Sequence, residues 1–210
     1  MQGVTRNPLG DPGILGINAG AAATVVLGIT LLGISGTMAI AVWALIGAGL
    51  AAVLVYAIAS IGREGATPIK LALVGAAFSA GAASLTSAMN LQHQETLDSF
   101  RRWQLGALTR ASYADALMLL PLILLGLLLT VGMARSVNSF ALGDDMARAL
   151  GTRVGSARAL VFAGVTLLCG AAVALAGPIA FVGLMVPHAV RSLTGPDYRW
   201  ILPLSACLLY

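Results

Sequence analysis

Charge is the scarcest property of this chain. Only 10% of its 210 residues are Asp, Glu, Lys or Arg, against roughly 25% in a soluble domain. Aromatic residues are few, at 6%, and the chain has two histidines and two cysteines. Each shortage excludes something. A net charge of +4 is too small and too scattered for a nucleic-acid partner. Cys169 and Cys207 both lie in apolar runs, which reads as packing rather than as a disulfide or a zinc site. There is no G-x-x-x-x-G-K-[ST] phosphate loop; "GREGATPIK", residues Gly62–Lys70, has the wrong spacing. There is no H-E-x-x-H, no Cys/His cluster and no pair of acids set to share a cleft. The sequence therefore assigns no catalytic residue, no metal ligand set and no directly bound cofactor.

What the chain has instead is apolar surface. Hydrophobic residues make up 59% of it, and its mean hydropathy is +0.92. One soluble core of this size cannot hide that much, so the chain reads as an all-α, polytopic transmembrane helix bundle. The 25 glycines concentrate in the apolar runs, where they let helices in a bilayer approach closely. A hydrocarbon core of roughly 30 Å needs about 20 helical residues. By that measure six full spans are expected, at Ile14–Leu32, Met38–Ile61, Ile69–Met89, Ala116–Met133, Ala159–Ala176 and Pro178–Leu193, with a truncated seventh from Ile201. Two longer polar connections separate them, at 90–115 and 134–158. The chain opens on the polar "MQGVTRNPLGDPG", without a signal-peptide pattern, and closes inside an apolar run. It is expected to be a piece of a longer chain, truncated at the C-terminus or at both ends.

Basic residues favour the cytoplasmic side of a membrane. With the N-terminal stretch inside, the inner loops hold Arg6, Arg63, Lys70, Arg135, Arg148, Arg153, Arg158, Arg191 and Arg199. The outside keeps only Arg101, Arg102 and Arg110. The central parts of the spans hold no Asp, Glu, Lys or Arg. Ion-driven carriers keep an ionisable group within the membrane, so any driving force here is expected to act from outside the bilayer.

Four segments stand out. In "NPLGDPGILGINAG", Asn7, Pro8, Asp11 and Pro12 form a helix entry with Asp11 as a cap, and Gly16 and Gly20 form a small-xxx-small pair. The inner loop reads as two short helices broken at Gly143, with Asp144 and Asp145 at a helix N-terminus, Ala147 and Leu150 on one face, and Gly151 as the stop. Two roles fit that loop, a linker lying against headgroups and a docking element for a soluble partner. The outer loop places Leu97, Phe100, Leu105 and Leu108 on one face of an amphipathic helix, with Trp103 at the interface. His93 reads as a solvated surface residue.

The fourth segment is "GPIAFVGLMVPHAVRSLTGPDYRW". Gly177-Pro178 is expected to make a tight outer turn into the sixth span, and Pro187 to bend that span near its inner exit. His188 and Arg191, three apart, share a face there. A lone histidine beside an arginine also fits a metal ligand or a proton relay; its position at a span end favours a structural role near the inner boundary.

These blocks together resemble the FecCD family, the permease subunits of ATP-driven importers for iron–siderophore, haem and cobalamin. The resemblance rests on "MQGVTRNPLGDPGILGINAG", "WQLGAL", "FALGDDMARALG" and "ALAGPIAFVGLMVPHAVRSLTGPDYRWILP", in that order, and covers the whole chain. The last block, which includes Gly177, Pro178, Gly183, Pro187, His188 and Arg191, is the most specific. Gly10 departs from the alanine usual in the family after Asn-Pro-Leu.

The resemblance implies a fold of about ten spans with both ends cytoplasmic, of which this chain carries the end of the second through the start of the ninth. It implies a multi-pass protein of the bacterial cytoplasmic membrane. It also implies a second permease copy or paralogue, two cytoplasmic ATPase subunits that use ATP and magnesium, and an external substrate-binding protein. Leu142, Gly143, Asp144, Ala147, Leu150 and Gly151 would then form the coupling element against the ATPase. Arg101, Arg102 and Arg110 would meet acidic residues of the binding protein. Iron–siderophore is the first expectation for the cargo, with haem and cobalamin open. A secondary carrier or channel, and a non-functional piece of such a permease, are the alternatives.

Overall fold

The computed structural model describes residues 1–7, 10–62, 65–92, 94–105 and 112–209. Among them the regular structure is entirely helical. Helix α1 is Gln2–Thr5, and a 3-10 turn at Pro12–Leu15 leads into α2, Ile17–Leu32. Then come α3, Thr37–Ala59; α4, Pro68–Gln92; α5, Gln94–Gln104; and α6, Tyr113–Gly132. Two short helices follow, α7 at Ala134–Phe140 and α8 at Asp144–Ala149. The chain finishes with α9, Val154–Ala176; α10, Val182–Thr194; and α11, Tyr198–Leu209.

Four of these helices are long and apolar enough to cross a membrane: α3, α4, α6 and α9. Each has 20 residues or more, which gives at least about 30 Å of helix. The multi-pass expectation holds, but the helices do not supply six full spans. Helix α2 has 16 residues, about 24 Å, and α10 has 13, about 20 Å. The reasons are local. Asp11 Oδ1 accepts the Gly13 N–H at 2.6 Å, so this carboxylate caps the 3-10 turn rather than the long helix. Gly16 then adopts φ 69°, and the first expected span becomes helical only from Ile17. At the other site Gly177 closes α9, and residues 178–180 run without helix to Phe181, whose φ is 68°. The expected tight turn is therefore a longer non-helical lead-in, which shortens α10.

Packing follows the small residues. Helix α2 lies against α3 and α4, α3 against α9, and α9 against α6. At the α2–α3 crossing a Cβ on Gly47 would overlap Thr24 Oγ1 and the Gly20 carbonyl. The Thr24 hydroxyl lies 2.8 Å from the Trp43 carbonyl on the facing helix. Gly16 and Gly20 do not serve one partner: Gly20 faces Gly47 and Ala51 of α3, whereas Gly16 faces Phe78 of α4. The buried core, with Val25, Val26, Ala44, Ala48, Val55 and Phe162, is contiguous through these crossings. Large leucines on α6, including Leu117, Leu124 and Leu128, stay exposed, as expected of a face toward lipid.

Described members of the two groups of basic residues lie at opposite ends of the bundle. Arg102 on α5 lines a cavity with Ile34–Thr37 and Ala174–Gly177, the ends of α2 and α9 and the start of α3. Arg6 and Arg158 meet at the other end, beside Asp144 and Ala66.

Candidate functional site

That second end carries the best-organised surface. Helix α7 ends at Phe140, two turn residues follow, and Gly143 stands before α8 with φ 101° and ψ 156°. An L-residue is strained in that conformation, so glycine permits the sharp entry. Asp144 and Asp145 occupy the first turn of α8, where the N-terminal end of the helix dipole favours anions. Gly151, at φ 81°, donates to the Arg148 carbonyl at 2.9 Å, and Thr152 donates to Ala147 at 2.9 Å. The local geometry is the pair of short helices expected from the sequence, with the break at Gly143.

The faces of α8 differ from expectation. Ala147 is 0% exposed and points into the bundle, whereas Leu150 is 60% exposed. These two residues therefore do not form one apolar face. The outward residues of α8 and its C-terminal end are Met146 and Leu150, four apart, at 53% and 60% exposure, and Leu142, ahead of the Gly143 break, is 63% exposed. Met146 was not singled out in the sequence, although its i, i+4 spacing to Leu150 was there to find it.

Ion pairs hold α8 in place. Asp144 pairs with Arg6, next to α1, and with Arg158 of α9. Arg6 Nε also donates to the Phe140 carbonyl at 2.7 Å. Arg158 reaches the two Asp144 oxygens at 3.1 and 3.2 Å and the Ala66 carbonyl at 2.9 Å. Its guanidinium lies 5.7 Å from the centre of the Phe140 ring. Neither Arg6 nor Arg158 was assigned a site role from the sequence. Such pairing needs residues far apart in the chain, which no local pattern reports.

The Gly177–Trp200 block lies beside this cluster. Pro187 sits in the middle of α10 rather than near its exit, and α10 continues to Thr194. His188 is exposed. Arg191 turns away from α8: its Nη2 donates to Tyr198 Oη at 2.6 Å and to Gln2 Oε1 at 3.3 Å. Gln2 Nε2 in turn lies 3.4 Å from the Leu184 carbonyl, and Gly183 packs beside Pro12. The block thus joins α10 and α11 to the N-terminal entry. Asn7, Arg6 and Arg191 border a cavity of about 240 Å³ there. No group of three or more metal-ligating side chains occurs among the described residues.

At the opposite end α5 is amphipathic as expected, with Phe100 buried and packed 5.8 Å from Trp103, ring centre to ring centre. Leu105 is exposed and does not join that face. Arg101 is exposed, and Arg102 and Trp103 line a cavity of about 440 Å³. Pro8, Arg63, His93, Leu108 and Arg110, which the sequence also singled out, lie outside the described residues.

Comparison with known proteins gives a consistent picture. The model of the FecCD transport family matches residues 1–208. The chain is 41% identical over 206 residues to the ferric enterobactin transport system permease protein FepD of Escherichia coli (strain K12), covering 98% of this chain and 61% of that protein. It is 39% identical over 209 residues to the iron(3+)-hydroxamate import system permease protein FhuB of Bacillus subtilis (strain 168), covering 99% and 54%. It is 35% identical over 222 residues to the hemin transport system permease protein HmuU of Yersinia pestis, covering 100% and 65%. A solved structure described as an inward-facing conformation of a metal-chelate type ABC transporter superposes with TM-score 0.86 at 27% identity, covering 97% of this chain and 65% of that one. The chain thus spans about three fifths of the length of the curated relatives it matches.

Proposed function

The chain belongs to the FecCD transport family, and from that premise we propose that it is the membrane-spanning permease part of an ATP-binding-cassette importer for a ferric siderophore or a related metal chelate. Haem and cobalamin are the other cargoes considered. The observation that carries the coupling role is α8. Met146 on α8, Leu150 at its C-terminal end and Leu142 just before Gly143 are exposed, and the helix is pinned from behind by two arginines. A rigid element with an unpartnered apolar face at the basic, inner end suits docking on a cytoplasmic ATPase, which would hold the ATP and magnesium.

The same reading assigns the inner side to Arg6, Arg148, Arg158, Arg191 and Arg199, and the outer side to Arg101 and Arg102, in a bacterial cytoplasmic membrane. Helices α2 and α10, each completed by the segment that leads into it, then count as passages, which makes six with α11 as the start of a seventh. A second permease copy or paralogue would complete the path, and an external binding protein would deliver the cargo. Among the described residues of the four long spans, the charged side chains are Lys70, Asp115 and Arg158, all within five residues of a helix start. That counts against an ion-driven carrier, which needs charge at depth.

The test is reconstitution of the full-length parent with its ATPase and binding protein in liposomes. Radiolabelled iron is offered as ferric enterobactin, as ferric hydroxamate and as haemin, and labelled cobalamin separately. ATP-dependent accumulation of one of them is expected. Accumulation driven by an ion gradient without any ATPase would replace this reading with the carrier.

A further inference from the structure

The Arg158 guanidinium touches three separate segments at the inner end. It is rooted in the second turn of α9, and its side chain is 6% exposed. Nη1 donates to the carbonyl of Ala66, two residues before α4 begins, and Nη2 spans both oxygens of Asp144 on α8. The Phe140 ring at the end of α7 stacks beneath it. A lysine could not reproduce this set, because it offers a point charge and no planar fork. A buried ion pair of this kind is weak evidence for net stability. Simple fold stabilisation therefore does not account for placing it at the root of the outward-facing helix.

We infer that Arg158 is the positioning residue that fastens the ATPase-docking helix to α9 and α4, so that a displacement of α8 is delivered to both long helices as a single rigid movement. The inference rests on the docking reading of α8. The Arg158 side chain is 6% exposed. It acts through Asp144, the Ala66 carbonyl and Phe140, and Arg6 braces Asp144 from the far side. A soft connection would let α8 follow the ATPase while the transmembrane helices lagged behind, and hydrolysis would run without transport.

The test uses the full-length parent assembled with its ATPase. Spin labels are placed at Ala149→Cys on α8 and Leu73→Cys on α4, both exposed. Their separation is read by electron paramagnetic resonance without nucleotide and after trapping with ATP and vanadate. In the otherwise unchanged protein the separation stays fixed between the two states. In R158M and in D144N it matches the unchanged protein before ATP and shifts or broadens after it, and the gain in hydrolysis on adding loaded binding protein falls by about tenfold. D145N removes an equal charge from the neighbouring position, where Asp145 is fully exposed and, among the described residues, pairs only with Arg148, and leaves the separation fixed.

A merely structural role would alter the separation before ATP is added, and that result overturns the inference. So does an R158M protein whose separation stays fixed after trapping, or an unchanged protein whose α8 slides against α4. If R158M does not assemble, the contrast between D144N and D145N decides. Failure of the unchanged parent to bind any ATPase would defeat the docking reading itself, and is seen before a variant is made.

Discussion

Asn138 of α7 holds the start of α11 with both ends of its amide. Its Nδ2 donates to Asp197 Oδ1 at 2.6 Å, and its Oδ1 accepts the Tyr198 backbone N–H at 2.9 Å. The chain between them passes through all of α8, α9 and α10, so one side chain closes a loop of about sixty residues. Replacing it with leucine keeps the volume and loses both bonds. N138L is expected to speed amide exchange in the first turn of α11 by about fivefold, the scale of a lost helix cap, while α3 and α9 exchange as before. Uniform acceleration throughout the bundle would mean that Asn138 supports the whole fold.

The same corner sets a pH dependence. Arg199 hydrogen-bonds the Asp197 carboxylate through its side chain and its backbone N–H, and Asn138 adds a third bond. Together they hold this carboxyl well below its ordinary value of 3.8. A depressed acid contributes its stabilisation fully above the unfolded value and loses it as pH falls toward the folded one. Protection of the α11 start is therefore expected to stay level from neutral pH to about 4 and to decline only below that. D197N should show no such decline. Loss of protection near pH 6 would point to another group.

Two glycines one turn-fraction apart on α3 should behave oppositely. A Cβ on Gly47 would overlap Thr24 and the Gly20 carbonyl, whereas one on Gly49 meets nothing within 4 Å. G47A is expected to cost about 1–3 kcal/mol, the usual penalty of overpacking, and G49A close to nothing. Thermal unfolding in detergent compares them directly. T24V, which removes the hydroxyl that reaches Trp43, should cost about 0.6 kcal/mol, in the range of interhelical bonds in membranes.

How far the sequence shows all this depends on the range of each signal. The long apolar runs became α3, α4, α6 and α9 because twenty apolar residues leave a chain in lipid no other way to pair its backbone. The Gly143 break and the Gly151 stop were readable because caps are local. Hydropathy could not show that Ile14–Leu32 and Pro178–Leu193 would be helical over only part of their length. That shortening comes from Gly16 and Phe181 in left-handed conformations, which apolar composition does not encode. The inward turn of Ala147 away from Leu150 depends on which side of a six-residue helix meets the bundle. The Arg6–Asp144–Arg158 cluster joins positions up to 152 apart, beyond any spacing rule.

The outward stripe on α8 predicts an order of effects. L150E and M146E put a charge on the exposed face and leave the buried side of α8 untouched. Each is expected to weaken association with the ATPase at least about tenfold, as loss of a central apolar anchor does. G143A should act differently. A Cβ there meets no neighbour, so its cost is the strained backbone at φ 101°, about 1–3 kcal/mol, and it should misdirect α8 rather than block it. Co-purification separates the cases, because G143A would be partly rescued at high ATPase concentration. Normal association of L150E would remove α8 from the interface.

The two adjacent arginines of α5 are not equivalent. Both are exposed, but Arg102 also lines a cavity of about 440 Å³ with Trp103 and the ends of α2 and α9. Arg102 Nη2 also bonds Ser99 Oγ at 2.9 Å, one turn back on α5. A guanidinium tethered by a hydrogen bond at the mouth of a cavity can meet an acidic side chain in one geometry, whereas a surface charge away from that mouth mainly speeds encounter. R102E is therefore expected to raise the dissociation rate of the loaded binding protein by tenfold or more, a scale typical of a truncated interfacial charge. R101E should chiefly slow association, and the effect should fade as salt rises above about 0.15 M. Surface-bound kinetics on the full-length parent in nanodiscs read both rates. If the two variants slow association equally and leave dissociation unchanged, the cavity plays no part in docking, and both arginines act only through their long-range field.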